Sequence, residues 1–96
     1  MERKFDISDF FEIETEHNIT VKIVENEKRY RKALKISQKQ LATRSGVSYA
    51  SIRRFENTGE ISLTSLLKIA RVLDCLDDFK DLFKSFPIAD LKDYKV

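Results

Sequence analysis

Ninety-six residues, 42% of them apolar and with 18 Lys and Arg against 16 Asp and Glu, are enough for one small globular domain and leave little room for a second core. That apolar fraction is too high for a disordered chain at a net charge of +2, and no apolar run approaches the ~18 residues needed to span a bilayer. The lone cysteine, Cys75, excludes an internal disulfide, and the start "MERKFDISDF" lacks the basic-then-apolar order of a secretion signal, so a reducing, cytosolic setting is expected.

The small net charge hides an uneven distribution. Residues 1–17 carry −4, residues 18–55 carry +8 and residues 56–96 carry −2. A strongly basic third fits a polyanionic partner, and it equally fits a solvated helical face.

In chain order, the apolar spacing predicts a first helix over roughly 20–35, although the β-branched run "ITVKIV" (19–24) blurs its start. Ser37 then reads as an N-cap, with Gln40 completing a capping box and Leu41 and Ala42 on the buried side of a second helix. Gly46 ends that helix, because a residue just past the last turn takes the left-handed conformation that a β-carbon resists. Val47 plugs the corner and Ser48 caps a third helix that buries Ile52 and Phe55; Gly59 closes the next loop. Ser62 opens a fourth helix with Leu63, Leu66, Leu67, Ala70 and Leu73 on one stripe. Asp77 opens a fifth, with Phe79, Leu82, Phe83 and Phe86 at helical spacing, and Pro87 stops it.

A short helix, a tight corner at Gly46 and a second short helix make a helix-turn-helix unit. With Leu41, Val47, Ile52 and Phe55 facing inward, the third helix presents Tyr49, Ala50, Arg53 and Arg54 outward, with Ser51 at the edge. Small residues near the helix start admit close approach to another surface, and two arginines one turn later offer forked donors that match guanine edges or phosphates. This is how a recognition helix enters a major groove. The same two arginines also suit an ordinary solvated face.

On these residues the chain resembles the Cro/phage-repressor-like (Xre-type) helix-turn-helix regulators. The likeness runs from about Ile23 to Phe83. It is carried by "SQKQLATRSGVSYASIRRFENTGEISLTSLLKIARVL", at the Gln, Leu-Ala, Gly-Val-Ser, Ile, Phe-Glu-Asn and Ser-Leu-x-x-Leu-Leu-x-x-Ala positions. The resemblance implies an all-α, five-helix, lambda-repressor-like bundle over residues 19–86, with an acidic N-terminal extension (1–18) and a C-terminal tail (87–96). It implies a cytoplasmic prokaryotic or phage protein that represses transcription and binds a double-stranded DNA operator as a homodimer. By the same resemblance Ser48, Tyr49, Ala50, Arg53 and Arg54 touch base edges. Arg31, Gln38, Lys39, Asn57, Thr58 and Gly59 hold phosphates, and Arg31 pairs with Glu56. Three positions depart from the pattern. Lys35 stands where a turn Gly is usual, which puts the shape of the first corner in question. Tyr49 is bulkier than the usual residue. Glu27 stands where an apolar residue is common, so the first helix is expected to pack less deeply.

With His17 and Cys75 single, metal binding and Cys–His catalysis lack their minimum parts, and neither a Gly-rich phosphate loop nor a Ser/His/Asp arrangement occurs. Neither an enzymatic activity, nor a metal, nor a cofactor is expected. Phe86, Ile88 and Leu91 form an apolar strip beyond the expected bundle and read as a dimer or partner interface. The stretch "ENTGEISLTSLLKIARVL" with the tail "FPIADLKDY" also resembles the small HipB-like antitoxins encoded beside HipA-type kinases. That likeness implies an alternative function: binding a HipA-like kinase toxin while repressing the shared operon.

Overall fold

The computed structural model describes residues 14–85, and among these every regular element is helical. They form α1 (Glu16–Ala33), α2 (Gln38–Ser45), α3 (Tyr49–Thr58), α4 (Leu63–Val72) and a 3₁₀ helix (Leu76–Phe79). No helix among them is long and apolar enough to cross a membrane.

Each α-helix begins on a hydroxyl. Thr15, Ser37, Ser48 and Ser62 accept the backbone N–H three residues on, satisfying a donor that the first turn leaves orphaned. At α2 the capping box is complete: Gln40 Oε1 accepts the Ser37 N–H at 2.8 Å. α1 begins at Glu16, earlier than the β-branched run predicts, because Thr15 supplies the cap upstream of it.

The helices also end alike, on left-handed residues. Gly46 (φ 81°) and Gly59 (φ 83°) close α2 and α3, their N–H groups donating to Ala42 and Phe55 carbonyls. Lys35 (φ 60°) and Asp74 (φ 62°) follow α1 and α4 in the same conformation. The next residues, Ile36 and Cys75, donate back five positions to Arg31 and Ala70. The corner at Lys35 therefore keeps the conformation a glycine would supply, and the β-carbon there costs about 1–2 kcal/mol.

α2, α3 and α4 share one core. Leu41, Ile52 and Ile69 are fully buried at its centre, with Ile36, Val47 and Leu73 around them. Ile69 takes the central place on α4, whereas Leu63, expected on the buried stripe, is 63% exposed in the first turn. α1 lies outside this cluster and buries only Val24, Glu27 and Arg31, so its inner face is mostly charged.

The expected fifth helix is absent from the described residues. After the 3₁₀ helix the chain continues in turns closed by i to i−3 bonds, from Leu82 to Phe79 and from Lys84 to Asp81. Phe83 takes φ 64° and is fully exposed. Phe79 is half-buried, but Leu82 and Phe83 meet no facing surface, and a short helix holds only where its apolar stripe is buried. Phe86, Ile88 and Leu91 lie outside the described residues.

Candidate nucleic-acid interface

The corner between α2 and α3 is fixed from both sides. Val47 is buried, and its N–H donates to Oγ of Ser45, itself buried. α3 then turns Ile52, Phe55 and Glu56 inward, which leaves Tyr49, Ala50, Arg53, Arg54 and Asn57 on its exposed face. Ser48, exposed at the helix start, accepts the Ser51 N–H and bonds the Ser51 hydroxyl.

The cations on this surface are held differently. Arg54 donates through Nε and Nη2 to Glu60 Oε1, both side chains being about two-thirds exposed. Arg53 and Lys39 instead gather on the Tyr49 ring, with Cζ and Nζ 5.5 and 5.4 Å from its centroid. Past the end of α3, Thr58 Oγ1 donates to the Arg54 carbonyl and accepts the Glu60 N–H, setting the loop. Gly59 is required there twice over: its φ is positive, and a Cβ would run into Thr20 Cγ2 of α1. An open groove between α1 and this loop is lined by His17, Thr20, Lys28, Asn57, Thr58 and Gly59.

Beneath the surface, Glu56 ties three helices together. Arg31 of α1 donates to both its oxygens, Nε to Oε2 and Nη2 to Oε1, each at 2.9 Å. Gln38 Nε2 of α2 donates to Oε1 at 2.8 Å. Arg31 Nη1 goes to the Ile36 carbonyl at 2.9 Å, so the guanidinium also braces the first corner. Arg31 is therefore buried and fully engaged within the domain.

Glu27 completes the cluster and was not foreseen as a member of it. Its carboxyl is buried, neither oxygen meets a donor, and Arg31 Nε lies 4.0 Å away. Burial pushes this carboxyl up from 4.5 to about 8, helped by the negative charge of the neighbouring Glu56. That shift favours the neutral form of Glu27 at neutral pH. For Glu56 burial acts upward, but hydrogen bonds from Arg31 and Gln38 and the charge of Arg31 outweigh it and hold the carboxylate below its ordinary value. One acid is kept neutral and the other ionised.

Residues 28–78, more than half of the chain, match the model of the helix-turn-helix family, whose members are DNA-binding domains of the Xre-like kind. The chain belongs to this family. No curated protein and no solved structure matches it. The match enters midway along α1 and ends in the 3₁₀ helix, so it spans the whole helix-turn-helix unit and the charged cluster except Glu27.

Two residues of this surface escaped the sequence reading. Glu60 reaches Arg54 only because the chain reverses at Gly59, which no helical spacing reveals. Lys28 enters the groove beside Asn57 because α1 crosses the end of α3; the basic composition of 18–55 was its only trace.

Proposed function

We propose that this helix-turn-helix protein is a cytoplasmic transcriptional repressor that binds operator DNA as a homodimer and reads the major groove with α3. The supporting observation is the orientation of α3: Ile52, Phe55 and Glu56 fasten one side, while Tyr49, Ala50, Arg53 and Arg54 are exposed on the other. In this reading Ser48 and those four side chains meet base edges. Gln38, Lys39, Asn57 and Thr58, with the Gly59 backbone, hold phosphates. Arg31 acts from below, keeping α3 at its angle, since its donors are taken by Glu56 and Ile36. Arg54 exchanges Glu60 for DNA, a cheap step because exposed ion pairs contribute only ~0–1 kcal/mol.

Selection from random duplexes tests this reading, with a two-fold symmetric site as the expected product. Affinity for that site is expected to fall steeply with salt, each neutralised phosphate adding about −0.9 to the log–log slope. An affinity that stays flat between low and physiological salt removes DNA as the partner.

A second surface favours a protein partner as well. Leu82 is 58% and Phe83 fully exposed, immediately before the apolar Phe86, Ile88 and Leu91. The homodimer contact is assigned to this end, and the alternative occupant is a HipA-like kinase toxin, as the antitoxin likeness implies. Truncation after Ser85 is expected to give a folded monomer with weakened operator binding in sedimentation and binding assays. A truncated protein that still sediments as a dimer moves the interface elsewhere, and copurification of a kinase with the full chain selects the antitoxin role.

A further inference from the structure

Tyr49 is the only aromatic residue on the exposed face of α3, and it is 38% exposed at the first position of the helix. Its ring collects a cation from each of two helices: Lys39 Nζ from α2 and Arg53 Cζ from one turn further along α3. Neither cation has a carboxylate partner, since the ion pairs among the described residues engage Arg31, Arg54, Lys80 and Lys84. The arrangement therefore differs from that of Arg54, which Glu60 draws toward the loop.

A guanidinium resting on an aromatic ring has lost much of its rotamer freedom before any ligand arrives, and its fork remains available. In a major groove that fork fits guanine O6 and N7. The neighbouring base then faces the phenol ring and the stacked guanidinium, a surface apolar to touch and cationic in charge. A C5-methyl group fills such a surface, whereas a bare C5–H leaves it unfilled. Thymine O4, an acceptor, suits the two cations, while the cytosine N4 amino group, a donor, does not.

We propose that Tyr49 and Arg53 act as one unit that reads a 5-methylpyrimidine–guanine step, Arg53 on the guanine and Tyr49 against the methyl group, with Lys39 on the adjoining backbone. The inference rests on the DNA-binding reading above and adds the chemical class of the step. Two bases supply the methyl group, thymine and 5-methylcytosine, and the exocyclic group at C4 ranks thymine first.

The test starts from the duplex recovered by selection and places thymine, uracil, 5-methylcytosine or cytosine before the guanine that Arg53→Ala identifies as its own. Each methyl group is expected to tighten binding by about fourfold per half-site, both thymine over uracil and 5-methylcytosine over cytosine. Tyr49→Ala is expected to bring both ratios to one, and Tyr49→Phe to preserve them, since the ring and not the hydroxyl meets the methyl group. Melting of both variants is compared with that of the parent protein, so that a folding defect is not read as lost recognition. Ratios of one in the parent protein overturn the proposal without any variant, and ratios that survive Tyr49→Ala overturn the role of the ring. If selection recovers a specific site but no pyrimidine–guanine step, this inference fails alone; if no duplex is bound, the functional reading fails with it.

Discussion

Glu27→Gln is expected to stabilise the domain at pH 8 and to remove most of the dependence of its stability on pH between about 5 and 8. The folded protein raises the Glu27 carboxyl from 4.5 to about 8. Over that interval the folded chain holds a proton that the unfolded chain has released. The contribution of this group is therefore complete below about 4.5 and falls by about 1.4 kcal/mol per pH unit as pH rises to about 8, where it levels. Glu56 works in the opposite sense. Its value is lowered in the folded state, so its contribution is present above the ordinary carboxylate range and is lost as pH falls through the lowered value. Glutamine keeps the shape of the neutral acid without a proton to lose. The gain at pH 8 is expected to reach about 2–3 kcal/mol, read from urea unfolding of both proteins across pH 5–9. Parallel pH profiles for the two would mean that Glu27 is ionised in the folded protein and the buried acid pair does not exist.

Glu56→Ala is expected to be the most damaging single substitution among the charged residues, at about 3–5 kcal/mol. It leaves the buried Arg31 guanidinium hydrogen-bonded only to the Ile36 carbonyl, with the Glu27 carboxyl 4.0 Å away, and strips Gln38 of its acceptor. For a domain this small that is a large share of the whole stability. Since the penalty comes from the orphaned charge, the joint replacement Arg31→Met and Glu56→Leu is expected to recover most of it, two charges leaving together. Thermal and urea unfolding of the single and double variants decide the matter. An Ala variant that melts with the parent protein would show that the pair contributes nothing.

What was legible in the sequence was local chemistry. Ser37, Gln40, Ser48 and Ser62 announce helix starts because their caps act over three residues, and Gly46 announces a stop because one conformation favours it. The packing of α3 by Ile52 and Phe55 followed from helical spacing. The fifth helix failed on the same spacing, because periodicity marks an apolar stripe without showing whether anything faces it; Leu82 and Phe83 face nothing among the described residues. Glu27 was read as a sign of shallow packing. Glu56 is distant in the chain, and only the crossing of α1 and α3 brings the two acids close enough to shift each other's titration in opposite directions. The Arg31–Glu56 pair itself came from family resemblance, since nothing local in either helix joins those positions. Arg54 was legible as an exposed cation, but its tie to Glu60 depends on a reversal at Gly59.

The meeting of Arg31, Gln38 and Glu27 on one carboxylate has a consequence for how this domain can diverge. A change at 56 is harmful while 31 remains basic, and a change at 31 is harmful while 56 remains acidic. The four positions are thus bound to vary as a set, through few permitted intermediates. The exposed positions 49, 50 and 53 lie outside this buried set. Substitutions on the exposed face of α3 therefore leave this buried set of charges undisturbed.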